Sequence, residues 1–90
     1  MHADHKKVLR RLKTIRGQVE GLIHMVEEDR DCIEISTQLM AASQALRGVN
    51  RDVLSAHLTH CMLVSAESDS REEIQQELKE MDRVIQTLSK

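Results

Sequence analysis

Apolar residues recur at helical spacing along almost the whole chain. Val8, Leu12, Ile15, Val19, Leu22 and Val26 follow one another at intervals of 4, 3, 4, 3 and 4, the stripe of an amphipathic helix. This pattern predicts a first helix from about Asp4 to Glu28, preceded by a frayed arm, residues 1–5, that carries His2 and His5. The polar run Glu27-Glu28-Asp29-Arg30 breaks it. Asp31 then fits an N-cap, with Glu34 three residues on as its capping-box partner. Ile35, Leu39, Ala42, Leu46, Val49, Val53 and Ala56 continue at helical spacing, and no Pro interrupts the run from Asp31 to Val64. The polar stretch Ser65 to Ser70 is expected to end this second helix. Ser70 with Glu73 forms another capping box. It opens a third helix from about Arg71 to Leu88, whose buried stripe should be Ile74, Leu78, Met81, Ile85 and Leu88.

The fold class is therefore all-α: a three-helix protomer with a long second helix. Ninety residues allow one domain, 1–90. A chain of that length packed as a globule has a radius of gyration of about 12 Å. The second helix, about nine turns and roughly 50 Å long, does not fit inside it. Such a helix must protrude and be covered by a partner, so an obligate oligomer is expected. Its middle is rich in small residues (Ala41, Ala42, Ser43, Ala45), which suits close packing. Gly17 and Gly21, four apart on the first helix, either admit a neighbouring helix or are merely tolerated. No residue is aromatic, so the core is aliphatic. Met25, Met40, Met62 and Met81, scattered over three helices, read as core filler.

Charge divides the chain unevenly. The net charge is only −2, which argues against a generic nucleic-acid binder. Yet Lys6, Lys7, Arg10, Arg11, Lys13 and Arg16 oppose only Asp4 in the first 16 residues. Arg47 and Arg51, four apart on the second helix, extend the set. A basic first helix on an acidic body is either a solvated face or a directed phosphate-binding face. With no aromatic side chain to stack on bases, double-stranded DNA fits better than single strands. The chain opens with no signal-peptide pattern and has no apolar run of membrane-spanning length. A cytoplasmic setting is expected, and its reducing environment suits two free thiols. No nucleophile–base signature or Gly-rich phosphate loop points to an enzyme.

Cys32, His57 and Cys61 carry the candidate chemistry. His57 and Cys61 stand at i, i+4 and so share a helix face. Cys32, at the first helical position, precedes His57 by 25 residues, about 37 Å on a continuous helix. No ion spans that distance. Two copies packed antiparallel would bring Cys32 of one chain to the partner subunit's His57 and Cys61, and two-fold symmetry would make two such sites. Two thiolates and an imidazole suit Cu(I), Zn(II) and related thiophilic ions. Three ligands are common for Cu(I), whereas a closed zinc site wants four. His60 points about 100° away from Cys61 on the helix. The same residues also fit a plainer reading: two small buried thiols and a surface histidine.

Arg11-Leu12-Lys13-Thr14-Ile15-Arg16-Gly17-Gln18-Val19-Glu20-Gly21 resembles the first-helix signature of the copper-sensing CsoR/RcnR-like repressors. Asp31-Cys32-Ile33 and His57-Leu58-Thr59-His60-Cys61 are similar to that family's metal positions in type and spacing. The resemblance covers nearly the whole chain. It implies an antiparallel four-helix-bundle dimer, a dimer of dimers, and a repressor that binds operator DNA until its inducer arrives. It also implies that Cys32, His57 and Cys61 bind Cu(I), with Glu77 supporting His57. Asp31 stands where copper sensors carry Tyr. Arg11 matches a basic family position, and Gly48 stands where copper sensors carry Arg, flanked by Arg47 and Arg51. The family also leaves alternatives. Nickel and cobalt sensors recruit an N-terminal nitrogen or histidine, for which His2 and His5 are available. Persulfide or thiol-redox sensors use the two cysteine positions, here Cys32 and Cys61. The expectation is a cytoplasmic Cu(I)-responsive repressor of metal-resistance or efflux genes, with Ni(II), Zn(II) or persulfide as other inducers. A metal buffer or chaperone without a DNA role is a further alternative class.

Overall fold

Side-chain caps set the helix starts. In the computed structural model, which describes residues 1–89, three helices form: α1 (His5–Glu27), α2 (Cys32–Glu67) and α3 (Arg71–Leu88). The Asp4 carboxylate accepts the Lys6 and Lys7 backbone N–H groups at 3.0 and 3.3 Å. Asp31 does the same for Ile33 and Glu34 at 3.0 and 3.3 Å, and the Ser70 hydroxyl accepts the Glu73 N–H at 3.3 Å. Each satisfies donors that a helix start leaves unpaired. The reciprocal halves of both expected capping boxes do not form. The Glu34 carboxylate instead pairs with Arg30 Nη2 at 2.8 Å. Glu73 accepts from Ser68 Oγ at 3.0 Å, and that same hydroxyl caps the Ser70 N–H at 3.1 Å.

α1 ends in a Schellman arrangement. The Arg30 N–H donates to the Met25 carbonyl at 2.9 Å and the Asp29 N–H to the Val26 carbonyl at 3.1 Å. This turn requires a left-handed residue, usually Gly; Asp29 takes that place with φ 53°. α2 runs three residues beyond its expected end, because Ser65, Ala66 and Glu67 all tolerate helix. The break falls at 68–70.

The chain divides into two compact units, Asp4–Asn50 and Met1–Ala3 with the chain from Arg51 onward. α2 contributes its first half to one and its second half to the other. In the first unit Ile15, Leu22, Ala42 and Val49 are buried, and Gly48 lies close to α1: a Cβ there would meet Arg11 Nη2 at 3.0 Å. Among the described residues nothing outside their own helix lies within 4 Å of a Cβ placed at Gly17 or Gly21. An apolar groove remains open along Val19, Ile23 and Val26 of α1 and Leu39 and Leu46 of α2.

In the second unit Cys61 and Val84 are the buried residues. Here the expected stripe of α3 is corrected. Leu78, Ile85 and Leu88 are exposed, Ile74 and Met81 are half-buried, and Val84 is buried. The inward face is Ile74, Glu77, Met81 and Val84, at intervals of 3, 4 and 3. α3 has apolar residues on two edges, and the carboxylates of Glu77 and Glu80 select the edge turned to α2. Among the described residues no helix is long and apolar enough to cross a membrane.

A β-branched residue has no tolerance for the left-handed turn. Asp29→Val should therefore lower unfolding stability by about 1–2 kcal/mol, whereas Asp29→Gly should be neutral or stabilising. Urea denaturation of the three chains checks this.

Candidate metal centre and nucleic-acid interface

The helical phase of α2 turns His57 and Cys61 to the same side, toward α3. Cys61 Sγ lies 3.8 Å from His57 Nε2. The same nitrogen lies 3.2 Å from Glu80 Oε2, and Arg83 Nη1 donates to Glu80 Oε1 at 2.8 Å. A carboxylate only accepts, so Nε2 carries the hydrogen and donates to Glu80. In a neutral imidazole that leaves the Nδ1 lone pair for a ligand. The Arg83 guanidinium, and after it His57, holds the Glu80 carboxyl below its usual range.

Cys61 is 1% exposed. Burial pushes its thiol pKa up, and the Glu77 carboxylate hydrogen-bonded to it adds to the rise. The sequence resemblance placed Glu77 beside His57. The structure instead brings Glu77 to Cys61, and Glu80, one turn further on, to His57. Glu80 and Arg83 were missed by the sequence reading. Their signal was the acid–base spacing Glu77, Glu80, Arg83 on the edge that carries Val84.

The N-terminal arm is not frayed at His2. Its ring stacks on His60 with centroids 3.8 Å apart and lies 5.2 Å from the His57 ring. Desolvation of the ring lowers the His2 pKa although the residue is exposed, the positive potential of His60, His57 and the N-terminus adds to that, and Glu77 opposes it. His2 therefore joins His57 and His60 in one cluster of imidazoles.

A buried thiol and an imidazole are soft and borderline donors, so the pair suits Cu(I) or Zn(II) chemistry. It supplies two ligands. Among the described residues no group of three His, Cys, Asp or Glu is arranged to hold a metal ion. Cys32, a free and exposed thiol, opens α2 in the other unit.

The cationic residues fall on α1 as expected. Lys6, Lys7, Arg10, Lys13 and Arg16 are exposed, and Arg11 is half-buried. Lys6, Arg10 and Lys13 line one shallow groove with Leu9 and Thr14, and Arg10 and Arg11 border a second with Gln18 and Ala45. Arg47 is exposed in the same unit, and Arg51 is exposed in the other.

Three helices bearing a paired thiol and imidazole, with cations gathered on the first, define an all-helical protein with a candidate site for a thiophilic metal. The chain belongs to the metal-sensitive transcriptional repressor family, whose model matches residues 4–90. It is 45% identical over 53 residues to the copper-sensing transcriptional repressor RicR of Mycobacterium tuberculosis (strain ATCC 25618 / H37Rv), spanning 59% of this chain and 55% of that protein. It is 36% identical over 75 residues to the copper-sensing transcriptional repressor CsoR of Bacillus subtilis (strain 168), spanning 83% of this chain and 74% of that one. Among solved structures, the nickel-responsive transcriptional regulator InrS superposes with a TM-score of 0.85 at 31% identity, covering 98% of this chain and 96% of its own. The copper-sensing repressor CsoR with Cu(I) from Geobacillus thermodenitrificans NG80-2 superposes with a TM-score of 0.75 at 38% identity, covering 94% and 85%.

The raised Cys61 pKa has a signed consequence. The folded chain favours the neutral thiol, so this contribution to stability is complete below the ordinary thiol pKa of 9.0 and is lost as pH rises through the higher folded value. Urea midpoints measured across this alkaline range should fall in the reduced wild-type chain and fall less in Cys61→Ala.

Proposed function

We propose that the chain is a cytoplasmic, Cu(I)-responsive transcriptional repressor that binds double-stranded operator DNA when metal-free and releases it on taking up Cu(I). The observation that carries this reading is the buried Cys61 thiol beside His57, whose Nε2 is occupied by Glu80. That pair offers a sulfur and one ring nitrogen and wants a third soft donor. Cys32 of one chain would supply it to the partner subunit's His57 and Cys61. Such a site requires an antiparallel dimer. The open apolar groove and the exposed Leu78 and Ile85 support dimers paired into a tetramer. The copper-sensing relatives and the Cu(I)-bound neighbour support the choice of metal.

In this scheme each residue has a physical task. Glu80, itself held by Arg83, orients the His57 ring. Glu77 borders the sulfur. Lys6, Lys7, Arg10, Arg11, Lys13 and Arg16, with Arg47 and Arg51, meet operator phosphates. Couplings between sites in allosteric proteins are about 1–3 kcal/mol, so the DNA-free form must bind the metal more tightly by that amount. Nickel response is the second reading. It is favoured by His2, whose ring on His60 and His57 sets a nitrogen donor at the site, and by the likeness to InrS.

Anaerobic titration of the reduced chain against a Cu(I) chelator should give one tight ion per chain, lost in Cys32→Ala. Square-planar Ni(II) absorption with weak Cu(I) binding would decide for the second reading. Tight binding of neither ion would turn attention to persulfide sensing, in which sulfide and an oxidant together leave Cys32 of one chain linked through sulfur to the partner subunit's Cys61. Cys32→Ala and His57→Ala should keep operator affinity yet fail to release DNA on Cu(I) addition, as followed by fluorescence anisotropy. In the same assay Arg11→Ala should weaken binding and reduce the salt slope by about 1; an unchanged slope would contradict phosphate contact.

A further inference from the structure

α2 is 36 residues long and contains one glycine, Gly48. It stands well inside the helix, where glycine costs stability relative to alanine because it gives up more backbone freedom on folding. One group occupies the space of the missing side chain. A Cβ at Gly48 would come within 3.0 Å of Arg11 Nη2, closer than ordinary van der Waals contact, and among the described residues no other atom outside its own stretch of helix lies within 4 Å of it. Gly17 and Gly21 of α1 have no such neighbour. Gly48 and Arg11 both belong to the unit Asp4–Asn50. Arg11 is half-buried there, whereas the other Lys and Arg residues of α1 are exposed. It lines a shallow surface groove with Arg10, Gln18 and Ala45. Ala45 and Gly48, at i, i+3, share a face of α2.

We infer that Gly48 is a positioning residue for DNA binding: by withholding a side chain it seats the Arg11 guanidinium against α2 before a phosphate arrives. An arginine that moves freely in water has a large side-chain entropy to lose when it binds. One already seated on a helix loses less at the contact. The atom that a Cβ would meet is the tip of a flexible side chain, not helix backbone. The fold can therefore accept a methyl group at position 48, and it is the guanidinium that must move. The inference rests on Arg11 meeting operator phosphates, as proposed above.

The test is a double-mutant cycle of wild type, Gly48→Ala, Arg11→Ala and the two together. Each full-length chain, reduced and metal-free, is titrated by fluorescence anisotropy into a labelled duplex that the wild-type chain has selected from a random-sequence pool. The titrations are repeated over a range of salt, and thermal unfolding is recorded in parallel. Gly48→Ala should melt higher than wild type, because alanine is the better helix former. It should nevertheless bind the duplex up to about tenfold more weakly, the scale of one charged hydrogen bond, with a shallower salt slope. In the Arg11→Ala background the same substitution should leave affinity unchanged. Should Gly48→Ala fail to fold, Arg11→Lys decides: it keeps the cation, removes the atom seated on Gly48, and should bind more weakly. Unchanged affinity in Gly48→Ala, equal losses in the two backgrounds, or full affinity in Arg11→Lys would overturn the inference alone. Affinity and salt slope unchanged in Arg11→Ala would overturn it together with the reading of Arg11 as a phosphate contact.

Discussion

The rotational phase of α3 against the second half of α2 is the constraint on which the candidate metal site depends. Turned by one residue, the helix would present Leu78 and Ile85 to Cys61 and leave Glu77 and Glu80 in water. The observed phase does the opposite. It spends apolar area on solvent and brings two carboxylates to a thiol and an imidazole. Area burial alone would not select this arrangement, since each large aliphatic side chain left in water forgoes roughly 1.5–3 kcal/mol. Specific hydrogen bonds at one edge rationalise the choice, and in the dimer proposed above a second copy would cover the other.

Much of the fold was legible in the sequence because it is set locally. Asp4, Asp31 and Ser70 act within three residues of themselves, and the period of apolar positions reports helices without reference to anything distant. The misread features are the ones settled by remote partners. Glu34 went to Arg30 because an ion pair one turn away competes with the cap. The inward edge of α3 depended on His57 and Cys61, which no periodicity in α3 can encode. His2 found His60 across most of the length of the chain. The pair His57 and Cys61 was readable, being i, i+4. The carboxylate that serves each was not, since Glu77 and Glu80 are a single turn apart and only the helix phase distinguishes them.

The chain also separates its two chemistries. Cations are concentrated on α1 in the first unit, and the thiol–imidazole pair lies in the second. α2 is the one element that belongs to both, and its two ends carry the two cysteines. α2 runs from Cys32 to Glu67 as a single helix without Pro. Small side chains at Ala42 and Gly48 let α1 approach its first half, and the Arg11 guanidinium lies beside Gly48.

The stacking of His2 on His60 has a practical corollary for the bench. The His2 ring lies 5.2 Å from that of His57, the imidazole that neighbours the buried thiol. A polyhistidine affinity tag fused ahead of Met1 would deliver a high local concentration of competing imidazoles to that spot. Apparent stoichiometries and metal preferences obtained with such a fusion would then describe the purification handle as much as the protein. Leftover residues from protease cleavage would shift the N-terminal amine as well. Preparations with no foreign residues ahead of Met1-His2-Ala3 are the ones whose metal selectivity belongs to the chain itself.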